Sequence, residues 1–140
     1  MTLLPEHYLT VGNPETLAEE LRKFAKHEHH MVRLKVAEHP NSPDDVLHEL
    51  AEDEHTDIRI AVSDHPSAPE ALLERLSNDA NADVRYAIAE NPNVPAHLLR
   101  RLADDENAYV SYRAQKTLKR VRLTEEASLD SKPNGSIKTG

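Results

Sequence analysis

Nine histidines are the first chemistry this sequence offers. His27, His29 and His30 lie together in a polar stretch, and His55 follows His29 by one 26-residue interval. Neutral imidazole binds zinc or nickel, so these four are the candidate metal ligands. Their spacing argues for a humbler role, since no helical pair such as His-Glu-x-x-His is present. His39 and His65 stand before proline, where Asn13 and Asn91 also stand, which marks a turn-forming column. Turn formation is the preferred reading, with no metal and no cofactor expected.

The acids are grouped as Asp44/Asp45, Glu52-Asp53-Glu54 and Asp104-Asp105-Glu106. Such groups at helix ends cap and solvate, and they need no acid–base role. No nucleophile elbow, phosphate loop or dinucleotide fingerprint occurs. There is no cysteine, which excludes disulfides, thiolate metal sites and cysteine nucleophiles. The chain reads as a non-enzyme.

Two further columns carry interaction chemistry. Arg33, Arg59 and Arg85 recur at one interval and end at Ser111. Recurring acids at fixed offsets (Asp53, Asp57, Asp79, Asp83, Asp105) make a structural tie the favoured reading, by carboxylate pairing or by bonds to helix-end carbonyls. The rival reading is an anion-binding groove. Leu34, Ile60, Tyr86 and Tyr112 form the second column. If Ile58 and Val62 face a core, residue 60 lies about 160–200° away on a helix. An apolar ladder facing outward marks a partner surface, with tyrosine a favoured anchor. Packing between successive repeats is the favoured reading of this column, and the partner surface its rival.

These columns exist because the chain repeats itself every 26 residues. Residues 39–64 match 65–90 at 9 of 26 positions, and 91–116 match 65–90 at 11 of 26. Pro14, Pro40, Pro66 and Pro92 share one column; Leu21, Leu47, Leu73 and Leu99 share another. A period of this size signals stacked repeats, each burying its face against its neighbours. That suits a chain with one Phe, no Trp and 38% hydrophobic residues.

Within a repeat, Pro43, Pro69 and Pro95 suit a helix start. Ser42 is placed to cap the helix that follows. Val46, Leu47, Leu50 and Ala51, repeated as Leu72, Leu73 and Leu76 and as Leu98, Leu99, Leu102 and Ala103, make one apolar helical stripe. The spacing predicts a first helix of about ten residues, ending near Asp53, Asp79 and Asp105. A second element of about eight residues follows, and the next proline stops it. It reads as α or partly 3₁₀. Strand is the rival for 58–62, but the aligned residues 84–88 favour helix.

The expected fold is therefore all-α: a right-handed α-α superhelix, or solenoid, of about four repeats of paired short helices. The repeats are 13–38, 39–64, 65–90 and 91–116, with an N-terminal cap over 1–12 in which Tyr8, Leu9 and Val11 cover the first unit. Position 118 is Leu rather than Pro, so the last helix continues to about residue 124 and caps the stack. The repeat domain spans 1–127, and 128–140 reads as a flexible tail.

The block His/Asn-Pro-x-x-Pro-x-x-Leu-Leu-x-x-Leu-Ala-x-Asp, followed by x-x-Val-Arg-x-Ala-Val-Ala, resembles the leucine-rich repeat variant family of HEAT-like short helical repeats. The resemblance covers 13–116 and is strongest over 39–112. It implies a right-handed superhelix of paired helices, the second often 3₁₀. Some members look as though they carry a cysteine-bound iron–sulfur module, which a cysteine-free chain does not inherit. A family of this kind implies fold far more than function.

The formal charge of −8 argues against generic nucleic-acid binding. Residues 39–64 carry eight acids and one Arg, whereas Arg100, Arg101, Arg113, Lys116, Lys119, Arg120 and Arg122 make the C-terminal region basic. No apolar stretch approaches the roughly 18 residues that span a bilayer, and no secretory signal is seen. The leading expectation is a cytoplasmic, non-catalytic protein–protein interaction or scaffold module, monomeric rather than oligomeric, using the second-helix face. The alternatives are nucleic-acid binding through the basic C-terminal region and metal binding through the turn histidines.

Overall fold

The computed structural model describes residues 7–131. Among them are nine helices and no strand: α1 (Tyr8–Val11), α2 (Ala18–Phe24), α3 (His30–Glu38), α4 (Asp44–Leu50), α5 (Thr56–Asp64), α6 (Glu70–Leu76), α7 (Ala82–Glu90), α8 (Ala96–Leu102) and α9 (Ala108–Asp130). Corresponding helices start 26 residues apart, so the period seen in the sequence is the period of the helices.

The first helices α2, α4, α6 and α8 are two turns long and the second helices α3, α5 and α7 slightly longer. Neither is long enough to be stable alone in water, so packing must hold them. Leu21, Leu47 and Leu99 are fully buried, as are Val32, Ile58 and Val84 of the second helices. The second helices form a continuous row: α1 packs on α3, α3 on α5, α5 on α7, and α7 on α9. Helices α4, α6 and α8 are each held between the second helix of their own repeat and that of the repeat before, as α4 is by α5 and α3. Helix α1 takes the place of a second helix and buries Val11 against this row, while Leu9 points to solvent.

Three local details differ from the sequence expectation. Pro43, Pro69 and Pro95 are the N-cap residues themselves, in extended backbone, rather than first-turn residues. Ser42 does not cap the helix ahead; its Oγ donates to the carbonyl of Val36 at 2.6 Å, closing the helix behind. The first helices end at Leu50, Leu76 and Leu102, three residues before the aspartates. Those aspartates instead accept from the N–H two residues on and so build the turn.

The second elements are α-helices. Their tightening is confined to the ends, where His39 and His65 donate N–H to the carbonyls of Val36 and Val62 three residues back. Helix α9 continues past residue 124 to Asp130, so residues 128–130 are helical. Glu125, Glu126, Ala127 and Leu129 favour helix, and the first proline after them is Pro133. The remainder of the 128–140 segment, from 132 on, lies outside the described residues, as do residues 1–6 of the N-terminal cap. None of the described helices is long and apolar enough to cross a membrane.

Candidate functional site

The arginine column is a chain of ties from repeat to repeat. Arg33 grips Asp53 with Nε at 2.7 Å, Arg59 grips Asp79 at 2.9 Å, and Arg85 grips Asp105 at 2.9 Å. In each pair a second guanidinium nitrogen reaches the other carboxylate oxygen, giving the two-pronged geometry that arginine favours. Nη1 then donates backwards, to the carbonyls of His27, Asp53 and Asp79 respectively. Asp53 thus takes Arg33 on its carboxylate and Arg59 on its carbonyl, and Asp79 repeats the arrangement. Burial pushes the Asp53 carboxyl up, but the Arg33 hydrogen bond, the His55 N–H and the Arg33 charge together hold it below its ordinary value. The same opposition, with Arg85 and Asn107, holds Asp105 low. The hydrogen bond to Asp105 in turn raises Arg85.

Why the column ends at Ser111 is now evident. An arginine there would have no following turn to grip, and Ser111 donates at 2.6 Å to the carbonyl of Ala103 instead. At the other end His27 fills the aspartate position and accepts the His29 N–H at 3.0 Å, as the aspartates do in their turns. The guanidinium donors of this column are engaged inside the chain.

Of the four candidate metal ligands, His27 and His29 serve the backbone, while His55 lies against Arg33 and Asp53. His29 Nδ1 caps α3 by accepting from the Met31 N–H, as Asn81 and Asn107 cap α7 and α9. His30 stacks on His55 with ring centroids 4.5 Å apart, and His29 stacks on His30 at 5.1 Å. Among the described residues no group of three or more His, Asp or Glu is placed to hold a metal ion.

His39 and His65 do more than turn the chain, and sequence reasoning missed this. Each is buried. His39 Nε2 meets the carbonyl of Asn13 at 2.8 Å, and His65 Nε2 meets the carbonyl of His39 at 2.7 Å. Each Nδ1 accepts the N–H two residues on, from Asn41 and Ser67. With Nδ1 an acceptor, the ring proton belongs on Nε2, which donates across the repeat boundary. The signal in the sequence was the 26-residue spacing of His39 and His65, but a shorter Asn13 and Asn91 in the same column disguised it.

Leu34, Ile60 and Tyr86 are half-buried and packed on the edge of the core, so they are neither fully outward nor fully interior. Tyr112 is 62% exposed, with the Lys116 ammonium over its ring at 5.3 Å from the centroid. Between α3 and α5 the column opens into a groove of about 470 Å³ lined by Leu34, Ala37, Glu38, Asp57, Ile60 and Asp64. A second hollow beside it brings Asp64 together with Glu90. Asp64 stays open to solvent, yet partial desolvation and the charge of Glu90 raise its carboxyl above the usual range.

The basic C-terminal residues are not one patch. Arg101 pairs with Glu74 and also donates to Ser77. Arg113, Lys116 and Arg120 gather beside Glu90 at the end of the row, and the buried Arg113 Nε has no hydrogen-bond partner.

Paired short helices at a fixed 26-residue interval, with an Arg–Asp bridge tying turn to turn, define a helical repeat protein. Residues 33–90 match the family model of the Leucine Rich Repeat Variant domain. No curated protein and no solved structure matches the chain.

Proposed function

We propose that this protein is a non-catalytic binding module, a small right-handed solenoid that presents the row of second helices to another protein in the cytoplasm. The observation that carries the reading is the groove between α3 and α5, where Leu34 and Ile60 remain half-exposed. Tyr86 and Tyr112 continue that column along the row. Repeat stacks create extended surfaces of this kind. The arginine column supports the surface from within by fixing the register of the helices that form it.

The test is quantitative capture from native lysate by the full chain and by an Ile60→Ser/Tyr86→Ser variant whose fold is checked by circular dichroism. Partners should be lost from the folded variant. Retention of every partner would refute the assignment of this face. Nucleic-acid binding is the second reading, favoured only by the cluster of Arg113, Lys116 and Arg120. It requires salt-sensitive binding to short duplexes at low ionic strength, and absence of that binding dismisses it.

A further inference from the structure

Charge is answered very differently on the two faces of the stack. On the first-helix side acids meet bases from a neighbouring repeat: Arg22 with Asp45, Lys26 with Glu49, Arg75 with Glu52, and Arg101 with Glu74. On the second-helix side the acids Glu38, Asp64 and Glu90 stand one interval apart. Among the described residues Glu38 has only Lys35 of its own helix at 3.8 Å. Asp64 has no ion pair among the described residues, and Glu90 has none within ion-pair distance although Arg113, Lys116 and Arg120 line the hollow beside it.

Their position makes this harder to explain as solvation. Glu38, Asp64 and Glu90 are the last residues of α3, α5 and α7. A helix C-terminus is the negative end of its dipole, where an acid is disfavoured and a base is welcome. Three consecutive helices therefore place the unfavoured charge at the same point. Desolvation and the facing charge of Glu90 separately raise the Asp64 carboxyl. In the fourth unit the same column holds Lys116, so the row of acids ends there.

We propose that this face binds a basic segment of another protein, with lysine or arginine side chains on the row Glu38, Asp64 and Glu90 and apolar side chains on Leu34, Ile60 and Tyr86. The inference rests on the binding-module reading above and names the partner's chemistry. Charge complementarity selects the occupant: an uncharged apolar peptide would leave Asp64, in the middle of the row, unanswered, and an acidic one would be repelled. Geometry selects its form. Neighbouring packed helices stand roughly 8–10 Å apart. A polyproline II segment returns to the same face every three residues, a rise of about 9 Å. A cation at every third position, followed by an apolar residue, meets one repeat after another.

The experiment is a fluorescence-anisotropy titration of the full chain with a labelled peptide of repeating lysine, leucine and proline. Companion peptides carry glutamate or serine for lysine, or the same residues with lysine at every second position. The lysine peptide should bind, more tightly at low salt, and the glutamate peptide should not. Asp64→Asn/Glu90→Gln should weaken binding about tenfold, while Asp44→Asn/Glu70→Gln, an equal charge change on the first helices, should not. Equal weakening by both pairs would overturn the site in favour of general attraction to an acidic protein. Equal binding of the two lysine spacings would overturn the three-residue register. If the serine peptide binds as tightly and Ile60→Ser abolishes it, the basic partner is wrong while the face stands. Failure of the lysine peptide to bind also overturns the basic partner, and lysate capture then decides the face separately.

Discussion

Arg59 is the place to test whether the ion-pair chain holds the repeats in register. Its side chain is 16% exposed and that of Asp79 11%, so the bridge is largely out of water. Replacing Arg59 by Ala leaves the Asp79 carboxylate with the Asn81 N–H and no cation, and it strips the Nη1 donor from the carbonyl of Asp53. Breaking a buried pair from one side costs about 3–5 kcal/mol. Residual exposure lets water answer part of the orphaned charge, which brings the expected loss to about 2–3 kcal/mol. For a chain of this size that is a fall in Tm of roughly 8 °C. Asp79→Ala should cost a similar amount, and the double variant should cost much less than the sum, because no unpaired charge remains. The expected coupling is about 2 kcal/mol, read from urea unfolding of the four proteins in a double-mutant cycle. Arg22→Ala is the control: that pair is 50% and 61% exposed, and its loss should leave Tm unchanged. A coupling below about 0.5 kcal/mol for Arg59 and Asp79 would refute the reasoning and leave the apolar core alone in charge of register.

Three further outcomes follow from the same geometry. Asp53 and Asp105 have carboxyls held low in the fold, so the stability they contribute is present above the unfolded value of about 4 and lost as pH falls through the lowered one. Acid unfolding monitored by circular dichroism should therefore shift to higher pH in Arg33→Ala. Asp64 is raised, so its charged form opposes folding near neutrality and the penalty fades as pH falls through the raised value. Asp64→Asn should hold or raise Tm at pH 7 and remove that part of the pH dependence; a lower Tm at pH 7 would contradict it. His65→Asn keeps a turn-forming residue but withdraws the buried Nε2–H from the His39 carbonyl, and should cost about 1–3 kcal/mol in denaturant unfolding.

The repeat was legible in the sequence because stacked units meet the same environment at the same offset. Leu47, Leu73 and Leu99 must each fill a gap between two neighbours, so identity at 26-residue spacing carries through to buried positions. The Arg–Asp tie was legible for a similar reason, since both partners recur, although the sequence left carboxylates at Asp57 and Asp83 as equal candidates. Only the fold separates them: Asp53, Asp79 and Asp105 lie in turns within reach of a guanidinium, whereas Asp57 and Asp83 sit in the first turns of α5 and α7. Ser42 was misread because a serine before a helix and a serine after one look alike when that serine lies in the short loop between them.

What the sequence determined by itself is the interval, the helical periodicity and the residues that recur. Those are local or periodic properties, written in residue type and spacing. Tertiary structure alone decided which charges are answered. Arg33, Arg59 and Arg85 are consumed inside the stack, while Asp64 is exposed with no ion pair among the described residues. A charge's partner is fixed by distance in space, and spacing along a chain does not give that distance until the helices are stacked.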